Sequence, residues 1–282
     1  MKRNGSYERK QYPYAVRRVA AHFIPVAHLQ RAPYSSPVER LTVMTADEVS
    51  IAATLLGGGR ERLVIIGHGF GATQQASSIV WLAEALAGQY DVLTFDWRGY
   101  GGSSGLASLG GTEALDLTAV LVAARARGYK RIAMVGESMG GLITLATLGA
   151  AAAAPDFPMP DAIATVSAPA DYAYTAGPRP HLVRYVAAGS WMRPLAPLLG
   201  FRLGEVQLPR PLDVVERISV PLLLVHGDHD GTVPVRNAYL LSERQPAAHL
   251  RIYPGVDHAI VAMRDRSPQV FLNDLHELLG RM

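Results

Sequence analysis

Val135-Gly136-Glu137-Ser138-Met139-Gly140-Gly141 closes one apolar run and opens another. Before it stands Arg131-Ile132-Ala133-Met134-Val135; after it comes Leu142-Ile143-Thr144-Leu145-Ala146-Thr147-Leu148. The pattern is strand, sharp turn, helix, with a serine at the apex and a glycine two positions to either side. A turn this tight strains its central residue and leaves no room for bulk at minus two and plus two. It lifts the Ser138 hydroxyl clear of the strand and sets the Met139 amide at a helix N-terminus, where it can meet an oxyanion. Alone, the same letters also describe an ordinary strand–helix turn, so the rest of the chain decides.

Working outward, strand-like apolar runs at 41–44, 63–66, 92–95, 132–135, 162–166, 222–225 and 250–253 alternate with helix-like runs. The helical runs are 75–87, 112–127, 142–153, 235–243 and 269–279. Strands alternating with helices predict an α/β fold with a mainly parallel sheet covered on both faces. Ligands of such sheets meet the carboxyl ends of the strands. The interval 171–214 breaks the alternation. It is too long for a plain connection, and its aromatic and aliphatic content reads as a folded lid. Within it Tyr172, Tyr185, Trp191, Met192 and Leu198 are the candidate pocket-lining residues.

At 282 residues, 49% hydrophobic and 18% charged, the chain can bury a large core. It has no cysteine, which removes disulfides, thiol nucleophiles and thiolate metal sites and fits a reducing, cytoplasmic setting. No run approaches the roughly 20 apolar residues of a membrane span. Charged residues, histidines and a proline interrupt 14–29, so no signal-peptide core is expected. Residues 1–40 carry eight basic side chains against Glu8 and Glu39, although the whole chain is only +3. Residues 1–39 therefore read as a basic, solvated extension to a mildly acidic domain at 40–282. No basic–aromatic alternation accompanies them, so no nucleic-acid partner is expected.

Four further segments bear on the chemistry. Leu63-Val64-Ile65-Ile66-Gly67-His68-Gly69-Phe70-Gly71 empties a strand into a glycine-rich turn, where the Phe70 N–H is placed to be a second oxyanion donor. No Gly-Lys-Ser/Thr follows, which argues against a phosphate loop. His68 is expected to brace that turn. Phe95-Asp96-Trp97-Arg98-Gly99-Tyr100-Gly101-Gly102-Ser103 follows another strand, and Asp96 and Arg98 are read as fixing a long turn. Leu222-Leu223-Leu224-Val225-His226-Gly227-Asp228-His229-Asp230 ends a strand in a carboxylate-bearing loop, with Asp228 and Asp230 both candidates for a catalytic acid. Tyr253-Pro254-Gly255-Val256-Asp257-His258 ends the last strand on a histidine. His22 and His28 lie in the extension, His181 in the lid interval, and His249 and His276 at expected surface positions. Only His258 sits on a loop at the carboxyl end of a core strand late in the chain, which makes it the candidate base.

Together, and in this order, these five segments resemble the α/β-hydrolase family over residues 40–282. The resemblance implies an α/β-hydrolase fold with Ser138 as nucleophile, Asp230 as acid and His258 as base, and with the Phe70 and Met139 amides as the oxyanion hole. Asp228 is more easily a turn residue capping its own loop. Asp257, a third candidate acid, is adjacent in sequence to the base and points away too readily to serve it. Both are expected to brace their loops. The resemblance calls for no cofactor and no metal. Serine at the elbow disfavours the alkyl-ester chemistry of dehalogenases and epoxide hydrolases. His-Gly-Phe-Gly in place of His-Gly-Gly-Gly disfavours the hormone-sensitive-lipase-like branch. The expected reaction is hydrolysis of a small-molecule carboxylic ester with a hydrophobic acyl or aryl group. Acyl-CoA thioester or acyl transfer, carbon–carbon cleavage of diketones, and non-catalytic ligand binding by the same pocket are the alternatives.

Overall fold

The computed structural model describes residues 23–25, 34–35, 37–176, 196–197 and 200–282. Among these, nine strands form one sheet: β1 Phe23–Pro25, β2 Val38–Met44, β3 Ser50–Leu56, β4 Arg62–Gly67, β5 Asp91–Phe95, β6 Arg131–Glu137, β7 Ala162–Val166, β8 Leu222–Gly227 and β9 His249–Tyr253. Their spatial order is β1-β2-β3-β5-β4-β6-β7-β8-β9. The pairs β1–β2, β2–β3 and β3–β5 are antiparallel, and all pairs from β5 to β9 are parallel.

Among the described residues six helices accompany these strands: α1 Ser77–Ala87, α2 Glu113–Ala126, α3 Met139–Ala151, α4 Arg236–Arg244, α5 Ala259–Arg266 and α6 Pro268–Leu279. The period-2 geometry of a strand sends its side chains to both faces in turn, and here each face has its own core. Leu63 and Ile65 of β4 join Leu117 and Val120 of α2 and Leu142 and Leu145 of α3. Val64 and Ile66 of the same strand join Ile79 and Leu82 of α1, Ile260 and Met263 of α5 and Phe271 and Leu275 of α6. A sheet buried on both faces needs near-continuous apolar strands, and β5, β7 and β8 are buried at every position.

The expected parallel core is present, with four differences. First, β3 was not anticipated. Its Ser-Ile-Ala-Ala-Thr-Leu-Leu is short on aromatic and β-branched bulk, and its place comes from antiparallel pairing with β2 and β5. Second, α5 was not anticipated, because its eight residues follow directly on the candidate base. Third, α3 begins at Met139, three residues before the expected start, so Gly140 and Gly141 are helical. Fourth, β2 begins at Val38 and Phe23–Pro25 pairs with it, so part of the segment read as an extension belongs to the sheet. Tyr34 also anchors there: its hydroxyl donates to the Gln74 carbonyl (3.1 Å) and pairs with Thr94 Oγ1 (2.8 Å).

Of the interval read as a lid, Tyr172–Tyr174 forms a 3-10 turn. Residues 201–207 run along the loop that follows β5, through bridges between Tyr100 and Phe201 and between Ala107 and Leu203. Tyr185, Trp191, Met192 and Leu198 lie outside the described residues.

Candidate active site

Ser138, Phe70, Asp230 and His258 each stand just past the carboxyl end of a parallel strand: β6, β4, β8 and β9 respectively. Ser138 has φ 48° and ψ −113°, a left-handed conformation that costs a non-glycine residue on the order of 1–3 kcal/mol. Its neighbours show why the strain is possible only with glycines. A Cβ on Gly136 would approach the Gly140 carbonyl oxygen to 2.7 Å. One on Gly140 would meet the carbonyl oxygens of Gly67 and His68 at 2.6 Å each.

The serine is joined to a relay. Ser138 Oγ lies 3.0 Å from His258 Nε2, and His258 Nδ1 lies 2.7 Å from Asp230 Oδ2. With the proton on Nδ1, the ring donates to the carboxylate and leaves Nε2 free to accept from the serine hydroxyl. The other Asp230 oxygen accepts from the Thr232 N–H (2.9 Å) and the Val233 N–H (2.7 Å). Burial alone would raise the Asp230 pKa. The hydrogen bonds of His226 and His258, the His258 charge and the Val233 amide outweigh it and hold the carboxyl well below the usual carboxylate range.

The other candidate acids are occupied elsewhere. Asp228 Oδ1 accepts from the Gly255 N–H (2.7 Å) and the His229 ring (2.6 Å), and Asp257 Oδ1 accepts from the Gly231 N–H (3.1 Å). Both close loops, as read from the sequence. His68 is fully buried, with Nδ1 2.8 Å from the Gly69 carbonyl, and the Trp97 N–H donates to its Nε2 (3.3 Å). It braces the turn. Asp96 accepts from the Gln74 N–H (2.7 Å) and the Gly102 N–H (2.9 Å), while Arg98 forks between Asp116 and Asp47. These residues hold the loops behind the site in place.

Ser138 and His258 open onto a cavity of about 380 Å³, also lined by Phe70, Met139, Pro169, Tyr172, Val233 and Val261, with Thr175, Thr232 and Asp257 among its polar groups. Met139 begins α3, so its N–H belongs to the helical turn that has no intrahelical acceptor. The Phe70 ring packs edge-on against Phe201 at 5.1 Å, and Phe201 stacks on Tyr100. Tyr172, the one described member of the expected pocket set, donates its hydroxyl to the Leu109 carbonyl (3.0 Å). Among the described residues no group of three or more His, Asp or Glu side chains could hold a metal ion, and no helix is long and apolar enough to cross a membrane.

Three polar residues escaped the sequence reading. Glu137, next to the serine and buried, accepts from the Gly69 N–H (3.2 Å) on one oxygen and from the Ile260 N–H (2.9 Å) on the other. Burial pushes its pKa up, against those two N–H groups and the His258 charge. Ser167 Oγ, at the end of β7, accepts from the Ala259 N–H (3.0 Å). His226, buried in β8, sets Nε2 2.7 Å from the Val233 carbonyl and 3.3 Å from Asp230 Oδ2. A carboxylate or an imidazole inside an otherwise apolar strand was the available signal for Glu137 and His226. Ser167 gave none.

Residues 63–273 match the model of the alpha/beta hydrolase family. An esterase of Pyrococcus furiosus superposes with a TM-score of 0.70 at 23% identity, over 91% of this chain and 97% of that one. A thermophilic esterase from Thermogutta terrifontis gives a TM-score of 0.63 at 19% identity, over 86% and 98%. A monoacylglycerol lipase of Mycolicibacterium smegmatis is 42% identical over 45 residues, a match spanning 15% of this chain and 16% of that protein. With the family model covering most of its length, the chain belongs to the alpha/beta hydrolase family.

Proposed function

We propose that this protein is a serine hydrolase that cleaves carboxylic esters of a hydrophobic acyl or aryl group through an acyl-enzyme. The observation that carries the reading is the unbroken relay from Ser138 Oγ through His258 to Asp230, on a strained turn facing a largely apolar cavity. A neutral hydroxyl is a poor nucleophile until a base takes its proton. His258 Nε2 accepts that proton as Ser138 Oγ bonds to the ester carbonyl carbon. Asp230 holds the Nδ1–H tautomer and stabilises the imidazolium. The carbonyl oxygen, now an oxyanion, is met by the Phe70 and Met139 amides. When the carbon–oxygen bond to the leaving group breaks, His258 returns the proton to the departing alcohol. Water then repeats the sequence on the acyl-enzyme and restores Ser138.

The test is a panel of p-nitrophenyl esters, acyl-CoA thioesters and diketones against the wild type and Ser138→Ala, with a serine-directed phosphonate as trap. The expected outcome is ester turnover by the wild type, a phosphonate adduct at Ser138, and a loss of several orders of magnitude in Ser138→Ala. Equal activity of the two proteins, or no adduct on folded protein, refutes the reading. Faster turnover of thioester or diketone moves the substrate class while keeping the residues.

A further inference from the structure

Helix α5 starts at Ala259, so the N-cap position belongs to His258. N-caps are ordinarily Ser, Thr, Asp or Asn, whose side chains accept a hydrogen bond from the first turn. His258 cannot serve: its two ring nitrogens face Asp230 and Ser138, and it makes no capping bond. The first-turn N–H groups still need acceptors. They find them on other strands. The Ala259 N–H, at a left-handed φ of 70°, donates to Ser167 Oγ at the end of β7. The Ile260 N–H donates to Glu137 Oε1 at the end of β6. The second Glu137 oxygen holds the Gly69 N–H, one residue before Phe70.

We propose that Glu137 and Ser167 are positioning residues of the ester hydrolysis: together they cap the base helix from outside it, and Glu137 also ties the loop carrying Phe70 to the same strand end as Ser138. One buried carboxylate thus keeps the nucleophile, the base and an oxyanion donor in mutual register. Both of its oxygens are used as acceptors. An amide in its place keeps one acceptor and turns an NH2 group against the other N–H.

The proposal rests on the serine-hydrolase reading above, and the experiment separates the two. Wild type, Glu137→Gln and Ser167→Gly are titrated with the phosphonate to count reactive serines, then assayed on one p-nitrophenyl ester for kcat and KM. Glycine suits position 167, where φ is 54°. The expected result is a kcat per titrated serine lowered roughly 10- to 100-fold in Glu137→Gln, and by a smaller factor in Ser167→Gly, with KM within about twofold in both. A merely structural role would lower the melting temperature or the titre and leave turnover per titrated serine unchanged. That outcome in either folded variant overturns the proposal, and Ser167→Gly decides alone if Glu137→Gln does not fold. A wild type without adduct or turnover defeats the parent reading; an active wild type with unaltered variants defeats only this one.

Discussion

At the scale of single residues, Asp230 is bound more heavily than an orienting anion needs to be. It accepts from two backbone N–H groups besides His258, and His226 stands 3.3 Å from the oxygen that faces the base. These partners fix both carboxylate oxygens and so fix where the imidazole sits. Replacing Asp230 by Asn removes the anion and reverses one donor–acceptor pairing. A fall in kcat of roughly 10³- to 10⁴-fold is expected in steady-state ester hydrolysis. The same depressed carboxyl has a pH consequence. Its folded pKa lies below its unfolded one, so its stabilisation is complete above the unfolded range, near about 4, and is lost as the pH falls through the folded value. Urea unfolding of wild type and Asp230→Asn should therefore show a stability gap that is flat from about pH 5 upward and narrows in strong acid. A gap that widens on acidification contradicts the assignment.

At the scale of elements, the turn between β6 and α3 is decided by contact with β4. A methyl at position 140 would press on two backbone carbonyls, and backbone cannot swing away as a long side chain can. Gly140→Ala should cost about 1–3 kcal/mol or more in chemical denaturation and reduce turnover as well, because relief requires α3 to move with Met139 on it. Unaltered stability would mean the turn has more slack than its distances allow. This element was readable in advance because its constraint is local: glycines two residues either side of a serine, between two apolar runs. Strands β4 to β9 were readable for the same reason, being short apolar runs bounded by turn residues. Strand β3 was not, since Ala52, Ala53 and Thr54 carry little bulk and acquire their partners only from β2 and β5. Nor were the partners of Glu137 and Ser167. Residues 137 and 260 are 123 positions apart, and 167 and 259 are 92 apart. No spacing rule reaches across such intervals. The lid interval was recognisable as an interruption; Tyr172 stands among the residues around the cavity, and the other four candidates lie outside the described residues.

At the scale of the whole molecule, residues upstream of the parallel sheet take part in its stability. Tyr34 closes two hydrogen bonds onto Gln74 and Thr94, and Gln74 is itself held by Asp96 beside the turn that carries Phe70. Strand β1 covers the outer edge of β2. A chain beginning at residue 36 loses both, and an uncovered edge is a template for pairing with other chains. Such a chain should melt at a lower temperature and aggregate more readily than the full one. Restoring only residues 34 and 35 should recover the part that belongs to Tyr34, about 1 kcal/mol for each of its hydrogen bonds, together with the bonds of the Ser35 N–H and hydroxyl to Glu84 Oε1.

The opposite edge has a different meaning. Among the described residues β9 pairs with β8 alone, and its own residues are only partly covered until Tyr253. His258 hangs from that outermost strand, whereas Ser138 leaves β6, which is paired on both sides. Structures open locally before they open globally, and openings begin where contacts are fewest. Fraying of this seam would strain the Glu137, Ser167 and Asp230 bonds that hold the base, and loosen it before the serine. In a urea series, ester turnover should then fade at concentrations where the circular dichroism of the sheet is intact. On refolding it should return last, as the strand that brings residue 258 within reach of residue 138 settles against an already assembled neighbour.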